Sequence, residues 1–251
     1  MRTQLITAVL AAGTLFTTSA AAQDFHWAGA VAAGKRLEIK GVSGDIHAIF
    51  GTGSQVEVNA RKSGHRSDPD DVKIEVVPYE DGVTICAVYP TGRHARHENS
   101  CDNGSRWNSN SDNNDVEVDF TVTVPAGVIF SGQTVNGDVE ASSVNGSVRV
   151  STTGMAEAST VNGSVEATLG KSDWTGSAQF TTVNGGITLT LPAGLNAEVR
   201  AETVNGDFDT DFPLTVTGKF GPRRMRGTIG SGGRMLELTT VNGSIKLRKA
   251  T

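Results

Sequence analysis

The sequence predicts an all-β protein: a single-stranded, right-handed β-solenoid, or β-helix, with a less regular N-terminal β region. Three observations carry this expectation. The chain is rich in Gly, Thr, Val, Ser and Asn and poor in Leu, Lys and aromatics, which favours strands and turns over helices. Apolar and polar residues alternate along most of its length, the period of a strand with one buried face. The triplet Val-Asn-Gly occurs six times between Val135 and Gly243, as expected of a repeat architecture. Hairpin-like turns are also present, so a β-sandwich stays open as the structural alternative.

Residues 1–22 read as a secretory signal peptide. Arg2 gives a positive start, Leu5 to Phe16 an apolar run, and Ala20, Ala21 and Ala22 a small-residue cleavage site. The run is too short to span a bilayer, which takes about 20 residues. No cysteine sits near the cleavage point to carry a lipid, and the mature part has no long apolar stretch, so no transmembrane segment is expected. The expected location is the periplasm, the medium or the cell surface. With 22 Lys and Arg against 27 Asp and Glu, the chain is too acidic for a general nucleic-acid or anionic-membrane binder.

Residues 23–115 form the irregular β region. "KRLEIKGVSGDIHAIF" alternates around a Ser-Gly-Asp turn, with Leu37, Ile39, Val42, Ile46 and Ile49 expected inward. Its "GVSGDI" resembles a worn copy of the later Val-Asn-Gly unit, so the repeat can begin here. Cys86 and Cys101 would close a short disulfide loop in an exported chain, contributing on the order of 3 kcal/mol. The rival reading adds His94 and His97 as metal ligands, although the spacing matches no standard zinc pattern. From Thr91 to Asp115 the alternation stops. This polar loop, which holds Trp107, is too long for a plain turn. Its Asp and Asn residues lack the order of a calcium loop.

Residues 116–251 carry the repeat, expected to continue the preceding region as one domain. "VPAGVIFSGQTVNGDVEA" and "LPAGLNAEVRAETVNGDF" form an internal repeat about 70 residues apart. Asn136, Asn145, Asn162, Asn184, Asn205 and Asn242 are spaced by 9, 17, 22, 21 and 37 residues, loosely a rung of about 20 with its half and double. Each is followed by glycine: Gly137, Gly146, Gly163, Gly185, Gly206 and Gly243. Asn and Gly both tolerate positive φ, so the pair suits a sharp corner. Val135, Val161, Val204 and Val241 are expected to point inward before the corner, and Val139, Val165, Phe208 and Ile245 after it. Stacked Asn side chains could bond from rung to rung. The residue after Gly varies among Asp, Ser and Gly, which excludes a repeated calcium ladder, and the three "VNGS" copies match a glycan acceptor that an Asn packed at a corner would not suit. The charged "IKLRKAT" end is expected to cap the solenoid.

With the signal peptide, "VPAGVIFSGQTVNGDVEASSVNGSV", "LPAGLNAEVRAETVNGDF" and "GGRMLELTTVNGSIKL", the chain resembles the DUF4097 or "putative adhesin" family of exported bacterial β-solenoids over about residues 35–251. The resemblance implies an adhesin-like role at the cell envelope with a glycan or protein partner. It implies no catalytic residue, cofactor or metal. The 91–115 loop and its cysteines depart from the family pattern. Two other readings compete. A carbohydrate-active enzyme would use carboxylates on adjacent rungs, with Glu140, Glu157, Glu166, Glu198, Glu202, Asp209 and Asp211 as candidates by type. A binder of anionic envelope polymer would use Lys219, Arg223, Arg224, Arg226 and Arg234, although charges there also suit an exposed edge.

Overall fold

The computed structural model describes residues 25–102, 111–171, 174, 176–216 and 223–250. The signal segment, Trp107 and Lys219 lie outside the described residues. The irregular region contains β1 (Phe25–Gly29), β2 (Arg36–Lys40), β3 (Ile46–Gly51), β4 (Val56–Ser63), β5 (Lys73–Tyr79) and β6 (Gly82–Val88). The repeat region begins with β7 (Glu117–Pro125), β8 (Ile129–Gln133), β9 (Val139–Ser142), β10 (Val148–Thr152), β11 (Ala156–Asn162), β12 (Val165–Leu169) and β13 (Ser177–Asn184). It continues with β14 (Ile187–Leu191), β15 (Ala197–Asn205), β16 (Phe208–Thr210), β17 (Leu214–Val216), β18 (Arg224–Ile229), β19 (Arg234–Asn242) and β20 (Ile245–Lys249).

The strands form two sheets that share one core. One has eleven strands in the order β1-β4-β7-β3-β9-β11-β13-β19-β15-β18-β17, the other nine in the order β16-β20-β14-β12-β10-β8-β2-β6-β5. Neighbours inside both sheets are parallel, as between β10 and β12 or β11 and β13. The chain passes through one sheet, turns a corner and returns through the other, which is the β-solenoid. Antiparallel pairs close the ends: β1 with β4, β5 with β6, and β15 with β18.

Alternation explains each rung. In β12 the pattern Val165, Ala167, Leu169 is buried while Glu166 and Thr168 are exposed. The core stacks these inward positions along the axis, with Phe120, Phe130 and Phe180 its bulkiest fully buried side chains. Fully burying a side chain of this size stabilises by about 1.5–3 kcal/mol. Leu37, Ile39 and Ile46 take their expected inward places. Ile49 does not: counting in twos from Ile46 makes Ala48 inward and leaves Ile49 41% exposed.

Two further sequence expectations are corrected. The "IKLRKAT" end is not a cap, because β20 lies inside its sheet between β14 and β16, and β19 lies between β13 and β15. The last rung is therefore inserted into the stack, and β16, β17 and β18 form that end. Nor are the segments about 70 residues apart equivalent. Pro125 to Gly127 joins the eleven-stranded sheet to the nine-stranded one, whereas Pro192 to Gly194 crosses in the opposite sense.

Candidate functional site

The Val-Asn-Gly copies fall on both long edges of the solenoid. Five cross from the eleven-stranded to the nine-stranded sheet and stack in the spatial order Asn145, Asn162, Asn184, Asn242, Asn205. The sixth, at Asn136, crosses back on the opposite edge, beside Ser43. The short interval between Asn136 and Asn145 is thus half a rung. The long one before Asn242 includes the β17–β18 excursion.

Each residue of the corner has its own inter-rung contact. Asn162 Nδ2 donates to Asn145 Oδ1 at 2.7 Å, and Asn184 to Asn162, Asn242 to Asn184 and Asn205 to Asn242 each at 2.8 Å. The preceding threonines are buried, and their hydroxyls donate to the glycine carbonyl of the next rung: Thr160 to Gly146, Thr182 to Gly163, Thr240 to Gly185 and Thr203 to Gly243, at 2.8–2.9 Å. The valines correct the inward expectation: Val135, Val161, Val183, Val204 and Val241 are 36–48% exposed. Alternation decides this. Ala156, Ala158 and Thr160 share the inward phase of β11, so Val161 must point out.

The reason for glycine is only partly the expected one: Gly137, Gly163 and Gly243 take a positive φ of 151–159°, whereas Gly146, Gly185 and Gly206 do not. Among the described residues the non-glycine with positive φ is Asn113, so no corner asparagine is left-handed. A methyl group on Gly185 would lie 1.9 Å from the Gly163 carbonyl oxygen, and on Gly206 1.9 Å from that of Gly243. Close approach of rungs excludes a side chain there. On the opposite edge Asp45 Oδ1 accepts the Asp138 amide at 2.8 Å, and Asp138 Oδ1 accepts the Met155 amide at 2.6 Å. The polar chemistry of the repeat is spent between its own rungs.

The described parts of the 91–115 loop, residues 91–102 and 111–115, lie at this opposite edge. Cys86, outward on β6, is bonded to Cys101, so the thiolates of the rival metal reading are not available as ligands. Lys40 Nζ donates to the Asp102 carbonyl at 2.8 Å. Asn99 holds the Tyr89 carbonyl at 3.1 Å and the Thr91 hydroxyl at 2.9 Å, and Asp112 accepts the Arg93 amide at 2.8 Å. Asp115 accepts the amides of Ser67 and Arg66 at 2.8 and 3.1 Å, and these bonds hold its carboxyl well below the usual range. Between loop and edge lies a cavity of about 730 Å³, lined by Ser43, Asn136, His94, Arg96, His97 and Asp112 among others. Buried Tyr89 forms part of its wall. Its hydroxyl donates to the Val116 carbonyl at 2.8 Å, and burial pushes its pKa up to about 12.

The other sequence candidates do not converge. Arg223, Arg224 and Arg226 are exposed at β18, but Arg224 pairs with Glu202 at 3.1 Å. Arg234 is turned away, its Nε donating to the Trp174 carbonyl at 2.7 Å. The carboxylates point outward from two different sheets. Glu140 pairs with His47, Glu166 with Arg149, and Asp209 and Asp211 with Arg248. No three His, Cys, Asp or Glu among the described residues cluster to suit a metal. No sequence signal pointed to Asn136, Ser43 and the loop sharing one cavity, because that contact depends on which edge each corner occupies.

A family model described as Toastrack DUF4097 matches residues 35–248. No curated protein matches the chain. Among solved structures, a "putative cell adhesion protein" from Clostridium sporogenes is 12% identical, covering 90% of this chain and 99% of that one, with a TM-score of 0.37. A "putative adhesin" from Bacteroides fragilis is 10% identical, covering 90% and 96%, with a TM-score of 0.27.

Proposed function

The chain belongs to the Toastrack DUF4097 family, and on that scaffold we propose a non-catalytic, exported envelope protein that acts as an adhesin-like interaction scaffold. Its recognition element is the 91–115 loop, and its partner is a glycan or protein of the envelope. The observation that carries this reading is the cavity of about 730 Å³ between the pinned loop and the Ser43–Asn136 edge. Its volume falls in the range of ligand sites, and loops on rigid scaffolds commonly carry recognition. The corner residues favour a structural role by contrast, since their amides, hydroxyls and carbonyls are satisfied by neighbouring rungs. The Cys86–Cys101 disulfide supports an oxidising compartment. The enzyme reading has less support, because four of its seven candidate carboxylates are ion-paired with arginines and a fifth, Glu140, is hydrogen-bonded to His47.

Photo-crosslinking in exporting cells tests the proposal. A crosslinker replacing Ala95, on the cavity wall, should form an adduct with an envelope component. One replacing Gly194, in the distant turn after β14, should not. Adducts from position 194 alone, or a protein recovered only from the cytosol, would contradict it.

A further inference from the structure

Resting on the reading of the loop as the recognition element, we propose that its cavity binds an oxyanion: a carboxylate, sulfate or phosphate group carried on an envelope polymer. Among the described residues the cavity is lined by one permanent cation, Arg96, and one carboxylate, Asp112. Arg96, His94 and His97 line it, and Arg93 borders the adjoining depression with His94 and Asp112. Among the described residues the acid that lines the cavity is Asp112, whose carboxylate already accepts the Arg93 amide at 2.8 Å. The side chains of Arg96, His94 and His97 make no hydrogen bond or ion pair among the described residues. Several exposed cations elsewhere are answered, Arg149 by Glu166, Arg61 by Asp119 and Arg248 by two aspartates, while Arg223 and Arg226 have no ion pair among the described residues. Arg96, with His94 and His97 beside it, differs from these in lining a cavity.

The backbone that carries them is fixed before any ligand arrives. A turn closed by the Ala95 amide on the Gly92 carbonyl at 3.0 Å holds Arg93 to Ala95. Asp112 clamps its start, and Asn99 and the Cys86–Cys101 bond hold its far end. A ligand therefore meets a preformed frame and need only order side chains, the smaller part of the ordering cost. Ser43 and Asn136 supply neutral hydrogen-bonding groups on the opposite wall. A guanidinium can bind an oxyanion with two parallel hydrogen bonds. The chain carries a net charge of −5, so overall electrostatics oppose polyanion binding and any observed binding must be local.

Equilibrium titration at low salt tests this with four fluorescent probes: polygalacturonate, heparin, long-chain polyphosphate and neutral dextran. At least one polyanion should bind and weaken with added salt, and the one that binds identifies the oxyanion. The variant H94Q/R96Q/H97Q should lose affinity by about tenfold or more, as expected for removing the charge-assisted bonds of Arg96 and the imidazole donors beside it. The comparison variant R223Q/R224Q/R226Q should stay within about twofold. Urea midpoints equal to wild type would show that both variants fold, as expected for exposed residues. The proposal is overturned if no polyanion binds the wild type, or if the loop variant binds as tightly as wild type. Loop-dependent binding of dextran would overturn the oxyanion while leaving the loop as the recognition element.

Discussion

Substituting Gly185 by alanine isolates what the Val-Asn-Gly corner does. The new methyl carbon would stand 1.9 Å from the Gly163 carbonyl oxygen and 2.5 Å from its carbonyl carbon. An ordinary contact needs about 3.4 Å, so the rungs would have to part locally by about 1.5 Å from their spacing of about 4.8 Å. The carbonyl cannot simply swing aside, since it accepts the Thr182 hydroxyl at 2.8 Å. Parting the rungs would also stretch Gly185 N to Asn242 O at 2.9 Å and Gly163 N to Asn184 O at 3.1 Å. Overpacking costs about 1–3 kcal/mol and each weakened hydrogen bond about 1 kcal/mol. The expected loss is therefore about 3–5 kcal/mol, read as a lower urea midpoint. A methyl group on Gly194 would meet no atom within 4 Å, and the residue has no positive φ. Gly194→Ala should therefore be neutral or stabilise by up to about 1 kcal/mol. Gly185 has no positive φ either, so a conformational penalty cannot account for a large loss. A Gly185→Ala protein within about 1 kcal/mol of Gly194→Ala would refute the close-approach argument.

Four more outcomes follow from the structure. Thr182→Val keeps the shape but removes the buried hydroxyl from the Gly163 carbonyl, and should cost about 1–3 kcal/mol in urea unfolding. Val183→Thr, on an exposed side chain, should stay within about 0.5 kcal/mol. Deleting residues 234–251 removes β19 and β20 from between their neighbours, and circular dichroism should report loss of cooperative folding rather than a shorter solenoid. Asp115 has a depressed carboxyl pKa in the folded protein because of its bonds to Ser67 and Arg66. Its contribution is present above the unfolded value of about 3.9 and is lost as pH falls through the folded value. Acid titration of stability should accordingly decline more steeply below about pH 4 for wild type than for Asp115→Asn.

Much of the fold was legible because alternation fixes which residues face the core. Leu37, Ile39, Val165 and Ile245 are buried where the period places them. The expectation fails where a corner is taken as a new start instead of a continuation of its strand. Counting from Ala156 through Thr160 turns Val161 outward. Rung order was not legible, since β19 joins β13 and β15 through pairings far apart in sequence, and no local pattern encodes an inserted last rung. The loop could be seen as a break in the repeat, but its cavity could not. It requires Asn136 to occupy the edge opposite the other five asparagines, a consequence of the half-rung through β9.

The most direct test of the account compares loop and corners in one binding measurement. Purified wild type, H94Q/R96Q/H97Q and V161T/V183T/V241T would each be co-sedimented with isolated envelope material. The loop variant should lose about tenfold or more in affinity while the corner variant stays within about twofold of wild type. The reverse result, binding lost with the valines and kept without Arg96 and its two histidines, would contradict the account.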